Sequence, residues 1–310
     1  MPDHEDTKLE GRYLASILIT AIVLVVEIIG GIWTGSLALL SDSAHVFTDI
    51  FALAISYGAF RLSKKPGDDN HTYGYHRVEV FAALINGISL AIICLGIWWE
   101  AVQRFLNPGE VMGAPMLVIA VIGLVANILV ALVLKVEHHH DGDEHEHPHD
   151  HQKEDLNLNS AYLHVIGDAL SSVGVIIAGL AIWLTGAVWI DPLISILIGI
   201  MIAQSSYRVL RRATHILLEG TPEGISIPDI AKAIGAVDGV ADVHDLHIWN
   251  ICSGHISLST HVALTPDGCS KQNGILDAIR GLLRDTFSID HVTIQIESEN
   301  CGQGQCIQTD

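Results

Sequence analysis

Two pairs of histidine and aspartate share a spacing that puts two metal ligands on one helical face. His45 precedes Asp49 by four residues, and His164 precedes Asp168 by the same interval. Residues four apart on an α-helix lie one above the other. Two such faces in contact would present two imidazoles and two carboxylates, a tetrahedral donor set suited to Zn²⁺. The pattern therefore predicts a four-ligand metal site between two helices.

Both pairs fall within long apolar stretches of a chain of 310 residues, half of them hydrophobic. Crossing a bilayer takes roughly 20 mostly apolar residues, and the backbone in lipid must satisfy its own hydrogen bonds, which favours helices. The sequence predicts six transmembrane helices, at about 12–33, 37–60, 79–103, 114–136, 160–185 and 189–207. The two pairs then belong to the second and fifth spans.

Ionisable groups inside a membrane span are costly and usually functional. A dication with two aspartates and two neutral histidines sums to zero charge, so the occupied site suits a low dielectric. Protons compete with metal for the emptied site, because histidine titrates in the physiological range. Metal–proton exchange follows. Asp42, one turn before His45, is either a proton relay or a residue of the helix boundary.

Charge distribution orients the chain and narrows its partners. With the N-terminus in the cytosol, eleven of the twelve lysines and arginines before residue 213 fall inside, as the positive-inside rule requires. The C-terminus is then also cytosolic. A net charge of −19 disfavours nucleic acid as a partner and suits cations. The sequence contains no nucleophile elbow, phosphate loop or helical HExxH motif, so no enzyme is predicted.

The pattern of the last hundred residues predicts a soluble domain. Periodicity predicts helices at 227–237 and 271–287 and strands at 240–251, 255–264 and 291–297. This order favours a small α+β fold with helices on one face of a sheet. We therefore expect a transmembrane transport domain over 1–208 with a His-rich cytosolic loop at 137–155. A cytosolic domain over 209–298 and a loose tail over 299–310 follow.

The stretch from Ser36 to Asp49, with the partner motif from His164 to Asp168, resembles the cation diffusion facilitator family, in its zinc, cobalt and cadmium efflux branch. The resemblance covers nearly the whole chain. It implies a six-helix membrane domain, a ferredoxin-like αββαβ cytosolic domain and a homodimer in the bacterial inner membrane. It also implies that His45, Asp49, His164 and Asp168 bind the transported metal, with Zn²⁺ as substrate.

The resemblance implies further metal sites. Asp68 and His71 match a surface site in the loop between spans two and three, where the third position is Tyr75 and His76 lies beside it. The resemblance also makes 209–298 a metal-binding and dimerisation domain, in which zinc would have a structural or regulatory role. The matching residues there are His247, His261, either Asp290 or His291, and Glu297 as an additional ligand. His244 and His247 are three apart, which puts them on opposite faces of a regular strand.

The loop at 137–155 contains seven histidines, and imidazole suits zinc. It is either a low-affinity metal collector or a flexible tether. Its histidines are His138, His139, His140, His145, His147, His149 and His151. Two functions remain in competition: proton-coupled export of Zn²⁺, with Cd²⁺ or Co²⁺ as related substrates, and a membrane-anchored zinc sensor or store without net transport. An intramembrane site favours export, since a sensor needs only the soluble domain.

Overall fold

The computed structural model describes the backbone over residues 4–135, 169–252 and 254–297. In the first range, side chains are described from residue 18 to residue 130. Within these ranges, six helices precede the C-terminal elements. They are α1 (His4–Thr34), α2 (Leu37–Ser63), α3 (Val78–Leu106), α4 (Gly113–Lys135), α5 (described over Ala169–Thr185) and α6 (Ile190–Leu217).

Four of the described helices, α2, α3, α4 and α6, are long and apolar enough to cross a membrane. The described apolar parts of α1 and α5 are shorter. Large apolar side chains such as Leu53, Ile92 and Leu95 lie exposed on these helices, which suits lipid as the surrounding solvent. The predicted helical membrane domain is confirmed, and each of the six predicted spans overlaps one helix.

The described residues form two compact units. The first contains the described residues of Met1–Leu53 and Asn86–Tyr207, and the second those of Ala54–Ile85 and Arg208–Asp310. In the first unit, α2 to α6 surround one apolar core. Its fully buried residues include Leu39 of α2, Cys94 of α3, Met116 of α4, Val175 of α5 and Ile202 of α6.

Helices α4 and α5 approach each other closely at two glycines. A Cβ atom at Gly113 would lie 2.6 Å from the Trp183 backbone nitrogen, and one at Gly179 would lie 3.0 Å from the Leu117 nitrogen. Small residues let helix backbones meet in membranes, where dispersion contacts replace the hydrophobic effect as the cause of association. These glycines therefore set the spacing of α4 and α5.

The N-terminus of α2 is capped by Asp191, the second residue of α6. Its fully buried carboxylate accepts hydrogen bonds from Ser36 Oγ at 2.6 Å, from the Leu37 nitrogen at 2.7 Å and from the Ala38 nitrogen at 3.1 Å. Arg104 Nη1 lies 3.7 Å from Asp191 Oδ2 and balances its charge. The first N–H groups of a helix have no partner within the helix, so this carboxylate satisfies donors that lipid could not.

The C-terminal part of the second unit contains two helices and three strands. Ile230 and Ile234 on the first helix, with Ile279 and Leu283 on the second, pack against strand residues such as Leu258. This arrangement confirms the predicted α+β domain with its helix–strand–strand–helix–strand order. The elements are α7 (Ile227–Gly235), β1 (Val240–Cys252), β2 (His255–Leu264), α8 (Gln272–Phe287) and β3 (His291–Glu297).

The sheet has the order β1-β2-β3. Strands β1 and β2 form an antiparallel hairpin that turns at Gly254, whose φ of 88° favours glycine. Strand β3 runs parallel to β2, with His261 opposite Gln295. The β1–β2 register shifts between His244 and His247. That irregularity decides which histidines converge.

Replacing Asp191 with alanine should destabilise the membrane unit. The substitution leaves Ser36 Oγ and the Leu37 and Ala38 nitrogens without their acceptor, at a cost of about 2 kcal/mol or more. We expect a clearly lower unfolding temperature of the detergent-purified protein, with Asp191→Asn intermediate because it keeps one oxygen acceptor. Glu110→Ala, at an exposed acid, is the control. An unchanged unfolding temperature in Asp191→Ala would contradict the capping role.

Candidate metal sites

The first predicted pair lies on one face of α2. His45 Nε2 and Asp49 Oδ2 are 4.0 Å apart, and the two side chains are 15% and 36% exposed. Both therefore line a partly enclosed face of an apolar helix, as the i, i+4 spacing predicts. The second pair, His164 and Asp168, lies outside the described residues. The four-ligand site as a whole stays a prediction.

Asp42 joins α2 to α5. Its buried carboxylate accepts hydrogen bonds from Ser171 Oγ at 2.5 Å and from Ser172 Oγ at 3.2 Å. Asp42 also lies inside α2 rather than at its end. Helix α2 and the described part of α5 are therefore neighbours at the level of Asp42, one helical turn before His45.

Glu27 of α1 is a further carboxylate of the membrane domain, and it is not among the residues predicted for the metal site. Its side chain is 1% exposed, and neither oxygen makes a hydrogen bond within the described part of the chain. It occupies space above Gly123 of α4, where an added Cβ would lie 2.2 Å from Glu27 Oε1. It also interacts electrostatically with Asp42. The sequence signal that could have identified Glu27 is its position, as an acidic residue in the middle of the first apolar run.

One ligand cluster in the second unit contains His244, His261 and Glu297. Glu297 Oε2 lies 3.3 Å from His244 Nε2, and Oε1 lies 2.9 Å from His261 Nδ1. One ligand atom from each residue lies within 4.8 Å of the others. Two imidazoles and a carboxylate are a common zinc set with one position left open. The donors thus fit a bound metal ion without further residues.

Electrostatics at this cluster already favours a negative carboxylate. Burial by itself raises the pKa of Glu297. The hydrogen bond from Gln295 Nε2, at 2.9 Å, and the charges of His261 and His244 outweigh that effect and bring the pKa below its ordinary value. Glu297 therefore remains ionised, which is the form that binds metal.

The histidine that joins this cluster on β1 is His244, where the family resemblance pointed to His247. His247 Nε2 lies 3.0 Å from Asp245 Oδ1, and Asp245 Oδ2 lies 3.7 Å from His261 Nε2. Asp245 has a φ of 51° at the register shift. Side chains do not alternate strictly between the two faces of a strand across such a bulge. The odd spacing of His244 and His247 therefore does not place them on opposite faces. His247 reaches the cluster through Asp245.

Asp290 and His291 do not converge with Glu297. Asp290 Oδ1 lies 3.5 Å from Arg284 Nε, and the His291 ring contacts the edge of the Tyr73 ring with 5.3 Å between centroids. The physical reason is strand length. His291 begins β3 and Glu297 ends it, and at about 3.3 Å per residue the two lie roughly 20 Å apart.

The predicted surface set of Asp68, His71 and His76 is not brought together among the described residues. Asp68 Oδ2 accepts a hydrogen bond from Tyr75 Oη at 2.8 Å, and Oδ1 accepts one from the His71 backbone nitrogen at 2.7 Å. These bonds, that of Tyr75 first, lower the pKa of Asp68. His71 Nδ1 lies 3.3 Å from Asp68 Oδ1. His76 instead stacks on His255.

The predicted metal-collecting loop lies outside the described residues. This applies to His138, His139, His140, His145, His147, His149 and His151.

Comparison with known proteins gives two family matches that together cover most of the chain. Residues 13–218 match the family described as the cation efflux transmembrane domain. Residues 222–299 match the family described as the cation efflux protein, cytoplasmic domain. The two matches meet between α6 and α7.

Curated relatives are similar over nearly their full length. A protein of Bacillus subtilis (strain 168) named cadmium, cobalt and zinc/H⁺-K⁺ antiporter is 42% identical over 92% of this chain and 88% of its own. The metal cation efflux system protein CzcD of Cupriavidus metallidurans is 36% identical, over 94% and 88%. The zinc transporter ZitB of Yersinia pestis is 38% identical, over 95% and 90%.

Removing His244 should weaken metal binding in the second unit more than removing His247. His244→Ala deletes one of three converging donors, and we expect at least a tenfold loss of affinity at this site. His247→Ala leaves those donors in place and should bind close to wild type. Competition with a chelating dye would count tightly bound Zn²⁺ per full-length chain. Equal losses in both variants would contradict the assignment of His244.

Proposed function

This chain belongs to the cation efflux family, and from that premise we propose that it exports Zn²⁺ from the cytosol in exchange for protons. Its relatives and its helical membrane domain make it a metal cation efflux transporter rather than an enzyme. The proposed choice of Zn²⁺, with Cd²⁺ and Co²⁺ as related substrates, follows from the histidine and aspartate donors. The relatives named as zinc, cadmium and cobalt transporters support it.

The contact between α2 and α5 at Asp42 is the observation that carries the proposed transport site. His45 follows Asp42 by three residues, and Asp168 precedes Ser171 by three. The proposed ligands His45 and Asp168 would therefore lie one helical turn away from this contact, one on each helix. Asp49 and His164 would lie one turn further along. We expect His45, Asp49, His164 and Asp168 to bind one dication at the next two levels of the α2–α5 interface.

Charge balance makes this site an exchanger. Zn²⁺ with two aspartates and two neutral histidines has no net charge, so the occupied site can be enclosed by apolar helices. Removal of the ion leaves negative charge that protons can neutralise. Asp42 and Glu27 lie buried near the same interface and are the proposed additional proton carriers. The name of the Bacillus subtilis relative, an antiporter of metal against H⁺ and K⁺, supports proton coupling.

Alternating access would connect these steps. We expect α2 and α5 to move together, so that the site opens first to the cytosol and then to the far side. Protons on the far side displace the metal by protonating histidine or aspartate. Asp191 fixes the beginning of α2 during this movement, and the turns that carry His45 and Asp49 come after that fixed point in the helix. Residues 1–208 would perform this transport.

The remaining assignments concern location and regulation. The distribution of Lys and Arg supports an orientation with both termini in the cytosol of a bacterial inner membrane. Residues 209–298 would then sense cytosolic metal through His244, His261 and Glu297. A match to the cytoplasmic domain of cation efflux proteins supports a homodimer formed through this domain. Zinc bound there would tighten the dimer, and the loop at 137–155 would collect metal or act as a tether.

Asp49→Asn should abolish Zn²⁺ transport. The amide keeps the shape of the side chain but removes one of two charges that neutralise the ion. We expect at least a hundredfold slower uptake into proteoliposomes with an imposed pH gradient, since losing a buried counter-charge costs about 3 kcal/mol or more. Wild-type vesicles should lose uptake when the gradient is collapsed.

Asp267→Asn is the matched control, because it makes the same change at an exposed acid. Its uptake should equal that of the wild type. Full Zn²⁺ flux in Asp49→Asn would refute the site. Metal binding by the wild type without pH-dependent flux would instead favour the sensor or store.

Glu27→Gln tests the proposed proton carrier apart from the metal site. The substitution conserves volume above Gly123 but cannot carry a proton in exchange. We expect Zn²⁺ binding within a factor of about two of wild type, with uptake that responds less steeply to the pH gradient. Parallel measurements of binding and of uptake at several external pH values would separate the two. An unaltered pH response would exclude Glu27 from proton coupling.

A further inference from the structure

A cysteine and two histidines from distant parts of the sequence converge in the second unit. His76 lies just before α3, while Cys252 ends β1 and His255 begins β2. One ligand atom from each lies within 4.8 Å of the others. None of the three belongs to the transport site or to the cluster around Glu297. We propose that His76, Cys252 and His255 form a further metal site for a thiolate-seeking divalent cation such as Zn²⁺, Cd²⁺ or Co²⁺.

The spacing of the donor atoms fits tetrahedral coordination. Cys252 Sγ lies 3.3 Å from His255 Nδ1. Tetrahedral bonds of about 2.3 Å to sulfur and about 2.0 Å to nitrogen require donors roughly 3.5 Å apart. The His76 and His255 rings stack with centroids 4.8 Å apart at an angle of 28°. Because an imidazole nitrogen binds metal in the plane of its ring, the stacked rings must rotate about their side-chain bonds to bring all three donors onto one ion.

The surroundings suit a cation bound by a thiolate. Cys252 is 2% exposed, so the apolar interior shields its sulfur from competing solvent. Burial, and then the Glu79 carboxylate, raise the pKa of the Cys252 thiol, so the thiol keeps its proton until a metal ion displaces it to solvent. Glu79 is itself held by a hydrogen bond from Ser63 Oγ at 2.6 Å. A thiolate with a dication leaves one positive charge, which this nearby carboxylate offsets.

The partial exposure of the cluster gives an ion access. His76 is half-buried and His255 is exposed, so metal can approach from solvent while the sulfur lies behind the imidazoles. The fourth position is open to water. A bound ion would join the segment before α3 to the β1–β2 turn, with three ligands from two segments. The site goes beyond the proposed transport function, because the transported ion does not occupy it.

Co²⁺ titration of the full-length, reduced protein in detergent tests this site. Thiolate ligation produces a sulfur-to-cobalt charge-transfer absorption, to which histidine and carboxylate sites do not contribute. All proteins would have serine in place of Cys301 and Cys306, which lie outside the described residues. We expect the absorption in this background and its loss in Cys252→Ser. Cys269→Ser, at an exposed cysteine, is the matched control and should retain it.

Two surface variants guard against a folding defect at the buried position. His76→Gln and His255→Gln should each need at least tenfold more Co²⁺ to reach half of the absorption, because each lacks one of three ligands. Asp49→Asn should leave the titration unchanged, so failure of the transport proposal would not affect the result. Absorption that persists in Cys252→Ser, or wild-type affinity in both histidine variants, would overturn the proposed site.

Discussion

The buried carboxylate of Asp191 is the interaction on which the membrane unit most depends. It accepts the first backbone N–H groups of α2 and the Ser36 hydroxyl, and Arg104 balances its charge. In an apolar medium an unsatisfied N–H costs several kcal/mol. This single side chain of α6 therefore decides where α2 begins. The side chains of α2 to which a role in transport is proposed, first Asp42 and then His45 and Asp49, take their depth and direction from that starting point.

Polar groups elsewhere in the same unit follow the same constraint with different partners. Asp42 receives two serine hydroxyls from α5, while Ser41 and Ser195 return their hydroxyls to carbonyls one turn back. Glu27 has no hydrogen-bond partner among the described residues, and Gly123 leaves room for it. Satisfied groups hold helices together. Glu27, without such partners among the described residues, is the proposed proton carrier.

The second unit uses histidine differently. There the imidazoles lie at or near the surface and meet carboxylates or a thiol that come from other strands or segments. His244 lies opposite His261 in the β1–β2 register just before a bulge at Asp245, and the hairpin turn at Gly254 brings Cys252 back to His255. Both clusters lie where regular strand pairing is interrupted. Metal binding at such points would couple the arrangement of the strands to metal supply.

The sequence by itself determined the helices, the strands and the pairing of His45 with Asp49, because apolar runs and fixed helical spacing depend only on neighbouring residues. It could not determine which histidine of β1 meets Glu297, since one bulge reverses the alternation of a strand. Nor could it reveal that His76 lies beside Cys252 and His255 rather than beside Asp68. Those contacts unite residues far apart in the chain, and only the packing of separate elements brings them within a few ångströms.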